Sequence, residues 1–258
     1  MSTTPTQSEE SYRRINTILI SQPQPERSPY YSLVEKYGIK IDFRQFIHVE
    51  NVTIKEFRKQ RVNPQDYSAI IFSSKNSIEH FFRMCDELRI KMSQDMKYFC
   101  LSEAIARYLQ KFIVYRKRKV FYGKRTILDL KDALNKHKES ETFLMPCSNL
   151  GRKDVANFLR ENGFNYQEAV LYKTVASDLS DLKDITYDML VFFSPLGIKS
   201  LYENFPDFKQ NNTRIAAFGN STAKAVLDRD LTINVKAPLP EAPSMTMAIE
   251  RYLQQSNK

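Results

Sequence analysis

A strand–turn–helix written twice constrains this chain more than any other feature. Residues 67–80 read Tyr-Ser-Ala-Ile-Ile-Phe-Ser-Ser-Lys-Asn-Ser-Ile-Glu-His, and residues 187–200 read Tyr-Asp-Met-Leu-Val-Phe-Phe-Ser-Pro-Leu-Gly-Ile-Lys-Ser. Tyr187 matches Tyr67, Phe192 matches Phe72, Ser194 matches Ser74 and Ile198 matches Ile78, each 120 positions later. A solenoid repeats every 20–50 residues or so, and a single echo at this distance instead points to two copies of one domain. The chain has 258 residues, which at about 150 residues per domain is enough for two, each with a core of its own.

Other segments fit the same plan. Short apolar strands are expected at 17–21, 69–72, 98–101, 142–145, 189–193 and 215–218, with extended segments at 39–49 and 169–175. Helices follow them at 28–38, 51–59, 78–88, 102–110, 125–135, 152–162, 219–228 and 244–254. Ser28-Pro29 reads as a cap followed by proline at the first helical position, and Gly38 and Gly163 as left-handed C-terminal caps. The turn at Ser102 has its partner at Gly219, and the helix end at Gly38 has its partner at Gly163. Strands alternating with helices at this spacing make βαβ units and parallel sheets. The fold class is therefore α/β, with two similar lobes, each a parallel sheet flanked by helices.

Composition narrows the function. The hydrophobic share is 42 % and the charged share 27 %, ordinary for a globular chain. No apolar run reaches the roughly 20 residues that span a bilayer, so no membrane partner is expected and the cytoplasm is the default location. The segment 1–12 is polar and reads as a disordered lead-in. Cys85, Cys100 and Cys147 are far apart and sit among apolar neighbours, which suggests buried thiols rather than a disulfide frame or a zinc site. His48, His80 and His137 are equally scattered and read as surface or core histidines. No metal or cofactor is expected, and the chain reads as a monomer. The net charge of +9 implies an anionic partner: a polycarboxylate, a phosphate compound or nucleic acid. The densest basic run, Arg116-Lys117-Arg118-Lys119, has few interleaved aromatics. It reads as a solvated loop, and no nucleic acid partner is expected.

The turns at the strand ends hold the candidate site. Ser73, Ser74 and Asn76, then Ser148 and Asn149, then Ser194 and Gly197, and finally Gly219, Asn220, Ser221 and Thr222 lie where parallel strands end and helices begin. Ligands bind at that end of such sheets, and free N–H groups at helix starts favour anions. Turn chemistry or helix capping explains the same residues without a ligand. None of the turns is a GxGxxG or a GxxxxGK[ST].

Taken in order, Phe72-Ser73-Ser74-Lys75-Asn76, Phe143-Leu144-Met145-Pro146-Cys147-Ser148-Asn149-Leu150, Val170-Leu171-Tyr172-Lys173-Thr174, Phe192-Phe193-Ser194-Pro195-Leu196-Gly197 and Ala217-Phe218-Gly219-Asn220-Ser221-Thr222-Ala223 resemble the uroporphyrinogen-III synthase family, from about Ile18 to the last helix. Two places depart from the family pattern. Gln22-Pro23 stands where Arg-Pro is common, and Ser102-Glu103-Ala104-Ile105-Ala106 lacks the Gly and Thr of its partner turn.

The resemblance implies a topology that simple duplication does not. One lobe would be discontinuous, 14–44 with 176–258, and the other would be 49–168. Two antiparallel linker strands near 43–50 and 169–176 would join them. It implies a lyase without a cofactor that cyclises hydroxymethylbilane, a linear tetrapyrrole polycarboxylate, with inversion of ring D and loss of water. Tyr172 would be the catalytic residue, a weak general acid toward the departing hydroxyl, where a strand tyrosine packing its ring is the plain alternative. The turn residues above would hold substrate carboxylates. The alternative to an enzyme is a two-lobed protein that binds an anionic ligand and has lost the chemistry.

Overall fold

The computed structural model describes residues 12–258. The lead-in expected at 1–12 lies, apart from Tyr12, outside the described residues. In chain order the elements are β1 (Thr17–Ile20), α1 (Tyr31–Tyr37), β2 (Lys40–Phe43), β3 (Ile47–Asn51), α2 (Ile54–Lys59), β4 (Ala69–Phe72), α3 (Lys75–Glu87), β5 (Lys97–Cys100), α4 (Glu103–Leu109), β6 (Val120–Tyr122), α5 (Lys131–His137), β7 (Phe143–Ser148), α6 (Lys153–Glu161), β8 (Tyr166–Ala176), β9 (Met189–Phe192), α7 (Pro195–Asn204), β10 (Arg214–Phe218), α8 (Asn220–Leu227), β11 (Val235–Ala237) and α9 (Met245–Ser256).

The chain forms two compact units, one made of the residues up to His48 and from Val175 onward, the other of Val49–Thr174. The first holds a five-stranded sheet in the order β11-β10-β9-β1-β2, and all four neighbouring pairs run parallel. The second holds a six-stranded sheet in the order β3-β8-β7-β4-β5-β6, parallel from β8 to β6. At its edge Ser177 N–H donates to the Phe46 carbonyl and Val52 N–H to the Leu171 carbonyl. Residue numbers rise on one strand as they fall on the other, so β3 lies antiparallel to β8.

Both sheets are covered on both faces, which is why their strands read as unbroken apolar runs rather than alternating ones. In β4, Ile70 and Phe72 enter one buried cluster while Ala69 and Ile71 enter another. In β9, Met189 and Val191 share a cluster with Ile18 and Ile20 of β1, whereas Leu190 and Phe192 pack on the opposite face with Leu19.

Several expected boundaries move, each for a local reason. The first helix starts at Tyr31, not Ser28. Ser28 instead accepts from the Tyr30 N–H in a tight turn. The Ser194-Pro195-Leu196-Gly197 segment is no separate turn: α7 begins at Pro195, with Ser194 as its cap. Strand β7 runs on through Pro146, Cys147 and Ser148. A proline is tolerated there because β4 pairs with β7 only at Phe143 and Leu144, so no neighbour on that side requires the missing N–H. The strands β6 and β11 were not expected. Each has three residues and lies at a sheet edge, where short strands limit further pairing.

Candidate active site

In the unit of Val49–Thr174 the turns at the carboxyl ends of β4 and β7 gather around Tyr172. That residue lies on β8, which pairs in parallel with β7. The register slips between Cys147 and Ser148: Cys147 faces Val170, but Ser148 faces Tyr172. Leu171 is the extra residue, and the slip is a β-bulge. Simple alternation would turn the side chains of Leu171 and Tyr172 to opposite faces. Instead both are buried in the same cluster as Phe72 and Phe81. A bulge re-aims the side chain that follows it, and here it aims Tyr172 toward α3.

The Tyr172 hydroxyl lies 3.4 Å from Ser74 Oγ. Ser74 caps α3, accepting from the Ser77 N–H, while Ser77 Oγ accepts from the Ser74 N–H and donates to the Ser74 carbonyl. Ser73 is buried just before the cap, and Asn76 is exposed in the first turn. The ring of His80 stacks on that of Tyr172, 4.6 Å between centroids and 18° between planes. His80 Nδ1 is buried and has no hydrogen-bond partner among the described residues.

Asn149 holds the β8 backbone at Tyr172 and just beyond it. Its main-chain N–H donates to the Tyr172 carbonyl, its Oδ1 accepts from the Thr174 N–H at 2.9 Å, and its Nδ2 donates to the Thr174 carbonyl at 3.4 Å. Ser148 Oγ accepts from the Leu150 N–H within its own turn.

Burial pushes the Tyr172 phenol above its ordinary range, against the lowering effect of the Ser74 hydrogen bond and the Arg152 charge. The phenol is therefore protonated throughout the neutral range and available as a proton donor. Arg152, read from the sequence only as a helix start, is held in a two-point contact by Asp154. Burial and the neighbouring Arg83 charge pull His80 below its ordinary range, so its imidazole is neutral at pH 7. The three thiols are buried and unpaired, and burial lifts each to about 12.

In the other unit the two candidate turns differ. Ser194 caps α7 by accepting from the Gly197 N–H. A Cβ on Gly197 would stand 3.1 Å from the Phe192 ring, so close packing explains the glycine. Gly219 precedes α8 with φ +85° and ψ 154°, a conformation open essentially to glycine alone. It supplies no side-chain cap. Asn220 and Ser221 are exposed in the first turn of α8, whereas Thr222 is 1 % exposed.

The model of a family described as uroporphyrinogen-III synthase HemD matches residues 28–247. The chain belongs to the uroporphyrinogen-III synthase family. A uroporphyrinogen-III synthase of Chlorobaculum parvum is 23 % identical over 257 residues, covering 93 % of this chain and all of that one. One of Saccharomyces cerevisiae is 31 % identical over 124 residues, covering 43 % of this chain and 45 % of its own. In fold, the chain resembles the uroporphyrinogen-III synthetase of Helicobacter pylori, with a TM-score of 0.57 at 18 % identity, 94 % of this chain and 99 % of the other being covered. A mutant uroporphyrinogen III synthase of Thermus thermophilus gives a TM-score of 0.56 at 16 % identity, covering 93 % and 99 %. The two-lobed α/β architecture expected from the resemblance is the architecture of these synthases. Among the described residues no helix is long and apolar enough to cross a membrane.

Sequence reading missed His80 and Arg152 as neighbours of Tyr172. His80 follows Ser77 by three residues, as Ser77 follows Ser74, and residues three apart share a helix face. That stripe was the available signal.

Proposed function

We propose that this protein closes hydroxymethylbilane into uroporphyrinogen III, inverting ring D and releasing water. The observation that carries the reading is the family match over residues 28–247, which takes in both units. The proposal includes a monomeric cytoplasmic enzyme whose partner is the small polyanionic substrate, not nucleic acid.

The chemistry asks for little covalent help. The hydroxyl of the bilane's hydroxymethyl group leaves readily, and the chain then closes without inversion if nothing restrains it. The protein's task is to hold the acidic side chains so that the inverting carbon attacks, which is catalysis by positioning and electrostatic restraint. Tyr172 donates its phenolic proton to the departing hydroxide, which leaves as water. The proton that the ring system loses when it regains aromaticity restores the phenol, so the overall change is loss of one water. The phenol holds its proton at neutral pH, as a donor must, and its raised pKa makes it a weak acid, so positioning carries more of the rate than proton transfer.

Substrate carboxylates are held at the turns beginning at Ser73, Ser148, Ser194 and Gly219, with Gly219-Asn220-Ser221-Thr222 the principal grip. Gly219 leaves the first N–H groups of α8 without a side-chain cap, and uncapped N–H groups at a helix start favour an anion. Purified protein incubated with freshly generated bilane tests the reading. The type III isomer is expected to predominate, and an isomer ratio equal to that in buffer would overturn it.

A further inference from the structure

We infer that Asn149 and His80 are positioning residues for Tyr172, one fixing the strand that carries the phenol and the other fixing its ring. The inference rests on the proposed role of Tyr172 and adds to it how the hydroxyl is kept in place.

An extra residue in a strand leaves a ladder position unpaired and lets the strand twist locally. Left to itself, the backbone beyond Leu171 could return to ordinary register, and Tyr172 would then rotate away from α3. The parallel pairing with β7 ends at Ser148 and Tyr172, so the sheet provides no further restraint on that side. Asn149 provides it instead. Its main-chain N–H takes the Tyr172 carbonyl, and its amide takes both the N–H and the carbonyl of Thr174. A side-chain amide closing on both backbone groups of one residue stands in for the missing strand. Both side-chain amide atoms of Asn149 are thus engaged with the strand.

The ring needs a second restraint. Tyr172 is 8 % exposed, and its hydroxyl meets Ser74 Oγ at a long 3.4 Å, too weak to fix the phenol alone. The imidazole of His80 lies nearly parallel to it at 4.6 Å. His80 is carried by α3, whose cap is Ser74, so the stack and the hydroxyl contact come from one helix. Nδ1 of His80 has no partner among the described residues. What holds this side chain in place is therefore its flat face, and a phenylalanine can take over that task.

The test is a set of double-mutant cycles with steady-state kinetics and tyrosine Cζ NMR. In the wild-type background, Asn149→Ala and His80→Ala are each expected to lower kcat about fivefold with KM changed less than about twofold, in keeping with the strength of a ring stack. His80→Phe is expected to restore kcat to within about twofold of wild type. In a Tyr172→Phe background the same two substitutions should add almost nothing, because coupled residues are not additive. Equal losses in both backgrounds would overturn the inference while leaving the role of Tyr172 intact. If Tyr172→Phe keeps full activity the catalytic reading fails, and the NMR arm still decides the positioning. There the Tyr172 Cζ signal is expected to shift and broaden in both alanine variants, and an unchanged signal would overturn the inference. Should Asn149→Ala not fold, the His80 pair carries the same decision.

Discussion

The helices α4 and α8 begin after corresponding strands, β5 in one unit and β10 in the other, yet they treat their first turns in opposite ways. Ser102 caps α4 by accepting from the Ile105 N–H, and Glu103 places a carboxylate in that first turn. Gly219 gives α8 no side-chain cap, and its first turn has no acidic residue. One turn is closed by its own serine and carries a carboxylate, whereas the other has neither. Duplicated architecture therefore need not mean duplicated binding. A single change at the cap decides whether a helix start is closed by its own chain or offered to a ligand.

The largest expected effect on stability comes from straining the open turn. Gly219→Ala meets nothing within 4 Å, so its cost is conformational, about 1–3 kcal/mol for a backbone that glycine alone adopts easily. Urea unfolding should show that loss, and kinetics a several-fold rise in KM. A stable variant with unchanged KM would end the contrast between the turns.

Tyr172→Phe comes next. It should lower kcat at least about tenfold, roughly 1.4 kcal/mol of transition-state stabilisation, with KM and the unfolding midpoint nearly unchanged. That would separate the proposed proton donor Tyr172 from residues that only retain substrate. An unchanged type III yield in the bilane assay would remove the phenol from the mechanism.

Ser102→Gly sharpens the comparison from the other side. Replacing a serine cap by glycine costs only a few tenths of a kcal/mol. Because Glu103 remains in the first turn, KM should not move. A tighter KM would mean that the cap alone had kept substrate away.

The smallest effect concerns pH. His80 has its folded pKa depressed below the ordinary 6.5, chiefly by burial and then by Arg83. The unfolded chain therefore binds more protons just below pH 6.5, and stability from this residue is present above that pH and lost as pH falls. His137 is depressed too, by burial and then by Lys97. His80→Phe should flatten part of the decline in unfolding free energy between pH 7.5 and 5.5, measured by urea titration, and an identical slope would contradict the burial argument.

What could be read in the sequence follows from how local the cause is. The strand β4 was expected at 69–72 and is found there, because four buried residues followed by a serine cap signal themselves within one short window. The start of α7 at Pro195 was not read, because Gly197 suggested a turn where it is a packing residue against Phe192. The three-residue strands β6 and β11 are too short for any periodicity to show. The bulge at Leu171 lies beyond sequence reading altogether, since it is a mismatch of register between two strands and neither carries a glycine there. Tyr172 could be picked out by resemblance. Its setting could not, because Ser74 and His80 reach it from α3 and Asn149 from the turn after β7. The engagement of Asn149 with Thr174 becomes visible only once β8 is in place.

The central claim is that two α/β units without a covalent intermediate fold a flexible acidic tetrapyrrole so that its last ring turns over before closure. The most direct measurement is the ratio of inverted to symmetric macrocycle formed from freshly made bilane, with and without purified protein, read by chromatography after oxidation to the porphyrins. The account predicts a product dominated by the inverted isomer when protein is present, whereas the symmetric isomer at its buffer level would contradict it and leave a binding protein in place of an enzyme.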